Sequence, residues 1–204
     1  ALGTAFGCGL RASGSSTLLA RQKSVAVFLR GAYGQSETNY PFFTDSDVTV
    51  FSSLVLRNSG QDRDKARLRD SFFSKAVKGL NMEYAENGQY WGINDLNENQ
   101  NEDYMAAHYG VDPDAVDIIR RNIEALAGRN SENKRVRAWA LATDTSDPDK
   151  YAEYIQWVDP DYFIDYLIAQ TYFANGDMFN QKYWRSQDYT VRWRPVYYDL
   201  DLAL

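Results

Sequence analysis

The alternation of apolar and polar positions changes character along the chain. In the first third, short apolar runs are broken by Gly3, Gly7, Gly9, Gly14 and the cluster Ser15-Ser16-Thr17, a strand-and-turn signature. Lys23, Val25, Val27 and Leu29 share one parity, so a strand here sets Lys23 on the face of three aliphatics. Such a lysine either snorkels at a strand end or stands inward as a cation that needs an anionic partner. LVLRNSGQ (54–61) predicts a short strand and a turn. From Asp62 to Leu80 the pattern becomes that of a helix, acidic at its start, with Lys75 and Lys78 near its end and Gly79 as its stop. Leu68, Phe72, Ala76 and Leu80 form its expected apolar stripe.

Asn87-Gly88 predicts a hairpin turn, and the strand after it runs to Glu98. Residues 102–109 predict a helix, and the polar stretch from about 112 to 150 is expected to be helical, with TDTSDPDK as a surface loop. Asp159-Pro160 opens another helix, with Asp as N-cap and Pro at the first helical position. Its buried face would carry Phe163, Tyr166, Leu167 and Ala174, and it would end at Asn175-Gly176. Two strands, at about 182–186 and 190–198, then turn around Gln187-Asp188. Strands first and helices afterwards predict an α+β fold: a small β-rich lobe (1–98) and a larger, mainly α lobe (99–204) with a cleft between them.

Composition narrows the chemistry. The 204 residues suffice for one good-sized domain, and 44% hydrophobic with 25% charged residues is an ordinary globular balance. A net charge of −6 argues against nucleic-acid binding, which needs clustered Lys and Arg. No stretch approaches a membrane span, so no membrane insertion is expected. Cys8 and His108 are each single, which excludes an intrachain disulfide and any Cys-based or His-rich metal site. The 15 Tyr and 5 Trp fit core packing, or alternatively contact with carbohydrate or peptide. Both ends read as cut from a longer chain: it starts inside an apolar, Gly-rich run and stops at DLDLAL.

The last thirty residues concentrate the candidate chemistry. Asp177 follows a helix, Asn180 and Lys182 follow it, and Asp199-Leu200-Asp201 ends a strand after the hairpin. Phosphoryl transfer needs an acid facing the attacking hydroxyl, and an Asn and a second acid holding the metal on the phosphates. Asp177 is the candidate for the first role; Asn180 and Asp199 are candidates for the second, with oxygen donors suited to Mg²⁺. Asp201 is either a further metal contact or a backbone anchor, and Lys182 either holds phosphate charge or pairs at the surface. Upstream, SGSST (13–17) could turn its N–H groups and hydroxyls to an anion, with Lys23 as the cation after it. No GxxxxGK[ST] sequence is present, so a P-loop is excluded.

In order, SGSST…RQKS, LRNSGQD…RLRD, NGQYWGINDLNE, EDYMAAHYGVD, WVDPDYFIDYLIAQTYFANGD, NQKYWRS and YYDLD resemble the CotH (spore coat protein H) family of atypical protein kinases. The resemblance implies a two-lobed, protein-kinase-like fold that uses ATP and Mg²⁺ or Mn²⁺ to phosphorylate Ser or Thr of a protein substrate. It implies Lys23 as the phosphate-binding lysine, Asp177 as the catalytic acid, Asp199 as the metal-binding acid and Asn180 as the Asn of the loop. Glu98 falls where the strand enters the inter-lobe connection, and the residue reading sets it with Ser15, Ser16, Thr17 and Lys182 as candidates to line the nucleotide. Arg69 and Asp70 match an RD pair on the small-lobe helix, there to position Lys23 or to structure that helix. Leu18 and Asn97 stand where relatives usually carry Arg. An extracellular, spore-surface or cell-surface setting is implied as well. Two other readings keep these residues: a catalytically silent binding or scaffold domain, and transfer of a nucleotidyl instead of a phosphoryl group.

Overall fold

A computed structural model describes residues 4–203 apart from 21, 45, 63–64, 78–79, 81–82 and 85–94. The hairpin expected at Asn87-Gly88 and the helix stop expected at Lys78-Gly79 lie outside the described residues.

The fold is α+β. Strands β1 (Gly9–Ser13), β2 (Ser24–Phe28), β5 (Ser53–Arg57) and β7 (Asp95–Glu98) form an antiparallel sheet in the order β1-β2-β5-β7. The two-residue strands β3 (Thr38–Asn39) and β4 (Val50–Phe51) pair beside it. Val27 and Leu54 bury one face of this sheet against Phe43 and Phe51, with Leu56 and Leu96 packed on the same cluster. Because side chains alternate, the other face carries Arg11, Ala26, Val55 and Asn97 in one cross-strand row, with Ser13, Ser24 and Arg57 on the same side. Lys23 precedes β2 and stays exposed. The strand-end alternative is the one found.

A second sheet has the order β6-β11-β10-β8-β9, from β6 (Glu83–Tyr84), β8 (Val116–Arg120), β9 (Glu124–Ala127), β10 (Lys182–Ser186) and β11 (Arg194–Tyr197). All neighbours are antiparallel except β6 and β11. The β8–β9 hairpin corrects the expectation of helix over 112–150. Its strand VDIIR is buried at four of five positions, a continuous run rather than an alternating one, and helix and buried strand look alike there. Its turn uses two left-handed residues, Arg121 and Asn122, in place of a glycine.

The helices are α1 (Arg69–Ala76), α2 (Glu102–Tyr109), α3 (Ser131–Ala142), α4 (Pro148–Tyr154) and α5 (Pro160–Tyr172). Helix α1 is shorter than expected and turned. Arg67 is left-handed, and buried Asp62 accepts the N–H groups of Ala66 and Arg69 at 3.2 Å each, so the chain loops before the helix begins. The expected stripe of Leu68, Phe72, Ala76 and Leu80 faces outward. Asp70, Phe73, Ser74 and Val77 are buried instead. Phe73 and Val77 join Tyr166 and Ala169 of α5, Phe173 just after it, and Tyr197 and Leu200 in one cluster. The inner face of α5 is therefore Tyr166, Ala169, Gln170 and Phe173, and Leu167 and Ala174 are exposed. Asp159 precedes α5 as expected but makes no side-chain cap; its carboxylate takes Arg192 at 3.1 Å and Arg194 at 3.2 Å. Among the described residues, no helix is long and apolar enough to cross a membrane.

Candidate active site

The polar face of the first sheet roofs a cavity of about 540 Å³, within the range of small-molecule sites. The loop from β1 to β2 forms one wall. Gly14, at φ +120°, lets the chain turn tightly over Thr17, and Ser15 and Thr17 line the cavity beside it. Ser16 opens the turn Ser16–Leu19, and its side chain lies outside what is described. Asn58, just after β5, braces this loop: its amide donates to the Gln22 carbonyl at 2.8 Å, and the Ser24 hydroxyl donates to its Oδ1 at 2.9 Å.

The opposite wall comes from the segments flanking the β10–β11 hairpin. After α5, the Asn175 amide donates to the Gln170 side chain at 2.8 Å, and Asn175 Oδ1 accepts the Asp177 N–H at 3.2 Å. That fixes the loop on which Asp177 stands. The Asn180 N–H donates to the Asp177 carbonyl at 2.9 Å. Asn180 Nδ2 then donates to Asp199 Oδ2 at 2.6 Å, and Asn180 Oδ1 accepts from Tyr198 Oη at 3.0 Å and Arg121 Nε at 3.2 Å. Asn180 is thus a donor to Asp199 in this arrangement.

Asp199 follows β11 in the left-handed region, at φ 62°, a strained setting for a non-glycine residue of the kind that collects at functional sites. Its Oδ1 accepts Arg57 Nη2 at 2.9 Å. Arg57 Nε lies 3.3 Å from Asp70 Oδ2, and Asp70 Oδ1 accepts the Leu200 N–H at 2.9 Å. Asp201 Oδ2 accepts the Gln61 N–H at 2.6 Å. Gly60, at φ +49°, is required there, since a Cβ would stand 1.8 Å from Asp201 Oδ2. The roof and the acidic wall are therefore tied together by Arg57, Asp70, Asp199 and Asp201.

The electrostatics are those of crowded opposite charges. Burial disfavours ionisation of Asp199, yet Arg57 and the hydrogen bonds it receives from Arg57 and Asn180 hold its carboxyl below the usual range. Burial, then the charge of Asp199, pushes Asp201 up to about 6. Burial and Asp199 also raise Asp177. Lys182 is lowered to about 8, chiefly by desolvation, with Asp199 opposing. Its ammonium sits over the Tyr198 ring, 4.5 Å from the centroid, and 3.4 Å from the Gln100 carbonyl.

Of the residues singled out in the sequence, Ser15, Thr17, Glu98, Asp177, Asn180, Lys182, Asp199 and Asp201 all line this one cavity. Glu98 is buried and held by His108 Nε2 at 3.1 Å, which gives the single histidine a structural partner. Lys23 is not brought in. Its ammonium donates to the carbonyls of Leu18 and Ala20, the latter at 2.6 Å, and is absent from the cavity wall. The cation beside the carboxylates is Arg57, which the sequence reading passed over. Strand parity could have found it, since Val55 and Arg57 share the face opposite the apolar Leu54 and Leu56. Arg11, Arg120 and Arg121 also line the cavity and carried no signal in the sequence.

The donor set fits a hard divalent cation. The carboxylates of Asp199 and Asp201 both line the cavity, the charge of Asp199 disfavours ionisation of Asp201, and a guanidinium already stands against Asp199 as a positive charge. Among the described residues there is no group of three or more Asp, Glu, His or Cys arranged for a metal, so phosphate oxygens and water would have to complete the coordination.

A family model described as CotH kinase protein matches residues 10–204. No curated protein matches the chain. The chain belongs to the CotH kinase family.

Proposed function

We propose that this CotH-family chain transfers the γ-phosphoryl group of ATP to a Ser or Thr hydroxyl of a protein substrate. The observation that carries the reading is the convergence of Asp177, Asn180 and Asp199 with Arg57 and Lys182 on one polar cavity of about 540 Å³. In this reading the first sheet, with the loop from β1 to β2, covers the nucleotide as the small lobe of a kinase-like fold, and the second sheet, which takes β6 from residues 83–84, belongs to the lobe that supplies the acids.

Each residue then has a physical task. The Asp177 carboxylate orients the acceptor hydroxyl and takes its proton, and the upward shift of its pKa makes it a better base. Arg57 and Lys182 hold phosphate oxygens, and the loop at Ser15 and Thr17 covers them. Asn180 fixes the Asp199 carboxylate by its 2.6 Å hydrogen bond. A divalent cation held by Asp199 and Asp201 would supply neutralisation of charge on the phosphates. A protein acceptor and an extracellular or spore-surface setting belong to the same proposal and rest on the resemblance.

Incubation with labelled ATP and Mg²⁺ or Mn²⁺ tests the reading. Wild type is expected to pass label to protein hydroxyls, whereas Asp177→Ala and Asp199→Ala lose it by about a hundredfold or more, the scale of a transition-state electrostatic contact. Equal labelling by all three proteins rejects the assignment. One observation favours a silent binding domain instead: Lys23 is bonded to its own loop and does not face the cavity. Calorimetry separates the two, since the silent form gives no metal-dependent heat with ATP.

A further inference from the structure

Arg57 occupies an unusual position. Its guanidinium spans two carboxylates on different elements, Asp70 of α1 at 3.3 Å and Asp199 after β11 at 2.9 Å. Its side chain is 21% exposed and lines the cavity, so it is neither a surface pair nor a core pair. The second oxygen of Asp199 is taken as well, by Asn180 Nδ2 at 2.6 Å. Both oxygens of the carboxylate that should meet a metal are therefore engaged by N–H donors. Each oxygen keeps a second lone pair, but a cation at Asp199 Oδ1 would stand against the Arg57 guanidinium, and that repulsion is relieved when Nη2 turns to another acceptor within the cavity. Arg57 Nε can stay on Asp70, whose other oxygen is fixed by the Leu200 N–H at 2.9 Å. The forked guanidinium lets one edge remain anchored while the other changes partner.

Resting on the nucleotide reading of the preceding section, we propose that Arg57 is the positioning cation of this site and that it keeps Asp199 closed to metal until a nucleotide phosphate replaces Asp199 as its partner. Metal and nucleotide then enter as a unit. Phosphate draws Arg57 off Asp199, the freed carboxylate accepts the divalent ion, and each ligand strengthens the other reciprocally. The cation expected at Lys23 is thus supplied from β5.

The test measures binding and needs no turnover. Mn²⁺ alone is titrated by the electron paramagnetic resonance of the free ion, and ADP is titrated by calorimetry with and without Mn²⁺. Because Arg57→Met alone leaves Asp70 without its cation, the informative variant is Arg57→Met with Asp70→Asn; the control is Asp70→Asn, which keeps the guanidinium on Asp199. The double variant is expected to bind Mn²⁺ alone about tenfold more tightly than wild type, and metal-free ADP about tenfold more weakly, a coupling of ordinary allosteric size. The control should not gain Mn²⁺ affinity. A residue with a merely structural role would not raise metal affinity when removed. If wild type binds Mn²⁺ with ADP but the double variant gains nothing for Mn²⁺ alone, the role given to Arg57 is wrong and the nucleotide site stands. If wild type binds neither Mn²⁺ nor ADP under any condition, the nucleotide reading falls and this inference with it.

Discussion

Lys182 gives the cavity its most measurable chemistry at the scale of single residues. Its ammonium is lowered to about 8 by burial, against ~10.4 for a free lysine side chain. Between those values the folded chain binds fewer protons at this site than the unfolded chain, so the site adds stability as pH rises through that window. The same shift makes it a nucleophile at mild pH. Acylation followed by mass spectrometry is expected to modify Lys182 with a midpoint near pH 8, about two units below exposed lysines, and ATP with Mg²⁺ should protect it. A midpoint shared with the exposed lysines refutes the environment described. The acids of this region were legible in the sequence because short loops and one hairpin connect Asp177, Asn180 and Asp199, so spacing nearly determines proximity. Strand parity gives the face of Arg57 but not its role, which depends on Asp70 and Asp199, 13 and 142 positions away. Lys23 misled because parity along a strand says nothing about a residue that falls just before the strand starts.

At the scale of elements, the second sheet is held in register by a buried charge. Arg185 of β10 meets Asp117 of β8 at 2.7 Å, and its guanidinium packs against Tyr189 and Trp193. Asp117 Oδ1 also accepts the Arg129 N–H at 2.9 Å and the Gln187 amide at 3.0 Å. Asp117→Ala would leave a guanidinium stranded in the core, at a cost of ~3–5 kcal/mol. For a chain of this size thermal unfolding should fall by roughly 10 °C, as scanning calorimetry would register. A shift of under two degrees would mean the pair is not buried in solution. The same elements show where pattern reading fails. The 3.6-residue period of α1 was correct, but its phase was not: polar Asp70 and Ser74 lie on the inner face, because Arg57 and Leu200 demand a carboxylate there. Hydrophobicity alone then pointed to the opposite, exposed stripe. In β8, burial on both faces erased the alternation that identifies a strand.

At the scale of the whole molecule, the strands-first, helices-after order gave the α+β class, since each class of element leaves its own period in the sequence. The pairing of distant segments left no such trace. Strand β6, from residues 83–84, lies parallel to β11, and Phe73 of α1, with Val77 just after it, is buried against α5. A cut after residue 98 would therefore sever the connection but not the packing. Residues 99–204 alone would expose the inner face of α5 and the edge of β11 that β6 covers, and residues 1–98 alone would carry a helix with nothing to cover its inner face. The two polypeptides, purified separately, are expected to lack cooperative melting and to regain it on mixing; a cooperative melt from the second fragment by itself would contradict this. With Arg57 on one fragment and Asp199 on the other, the carboxylate–guanidinium contact forms only on reunion. A pair of separable halves would thus become a switch for ligand binding, thrown by whatever brings them together.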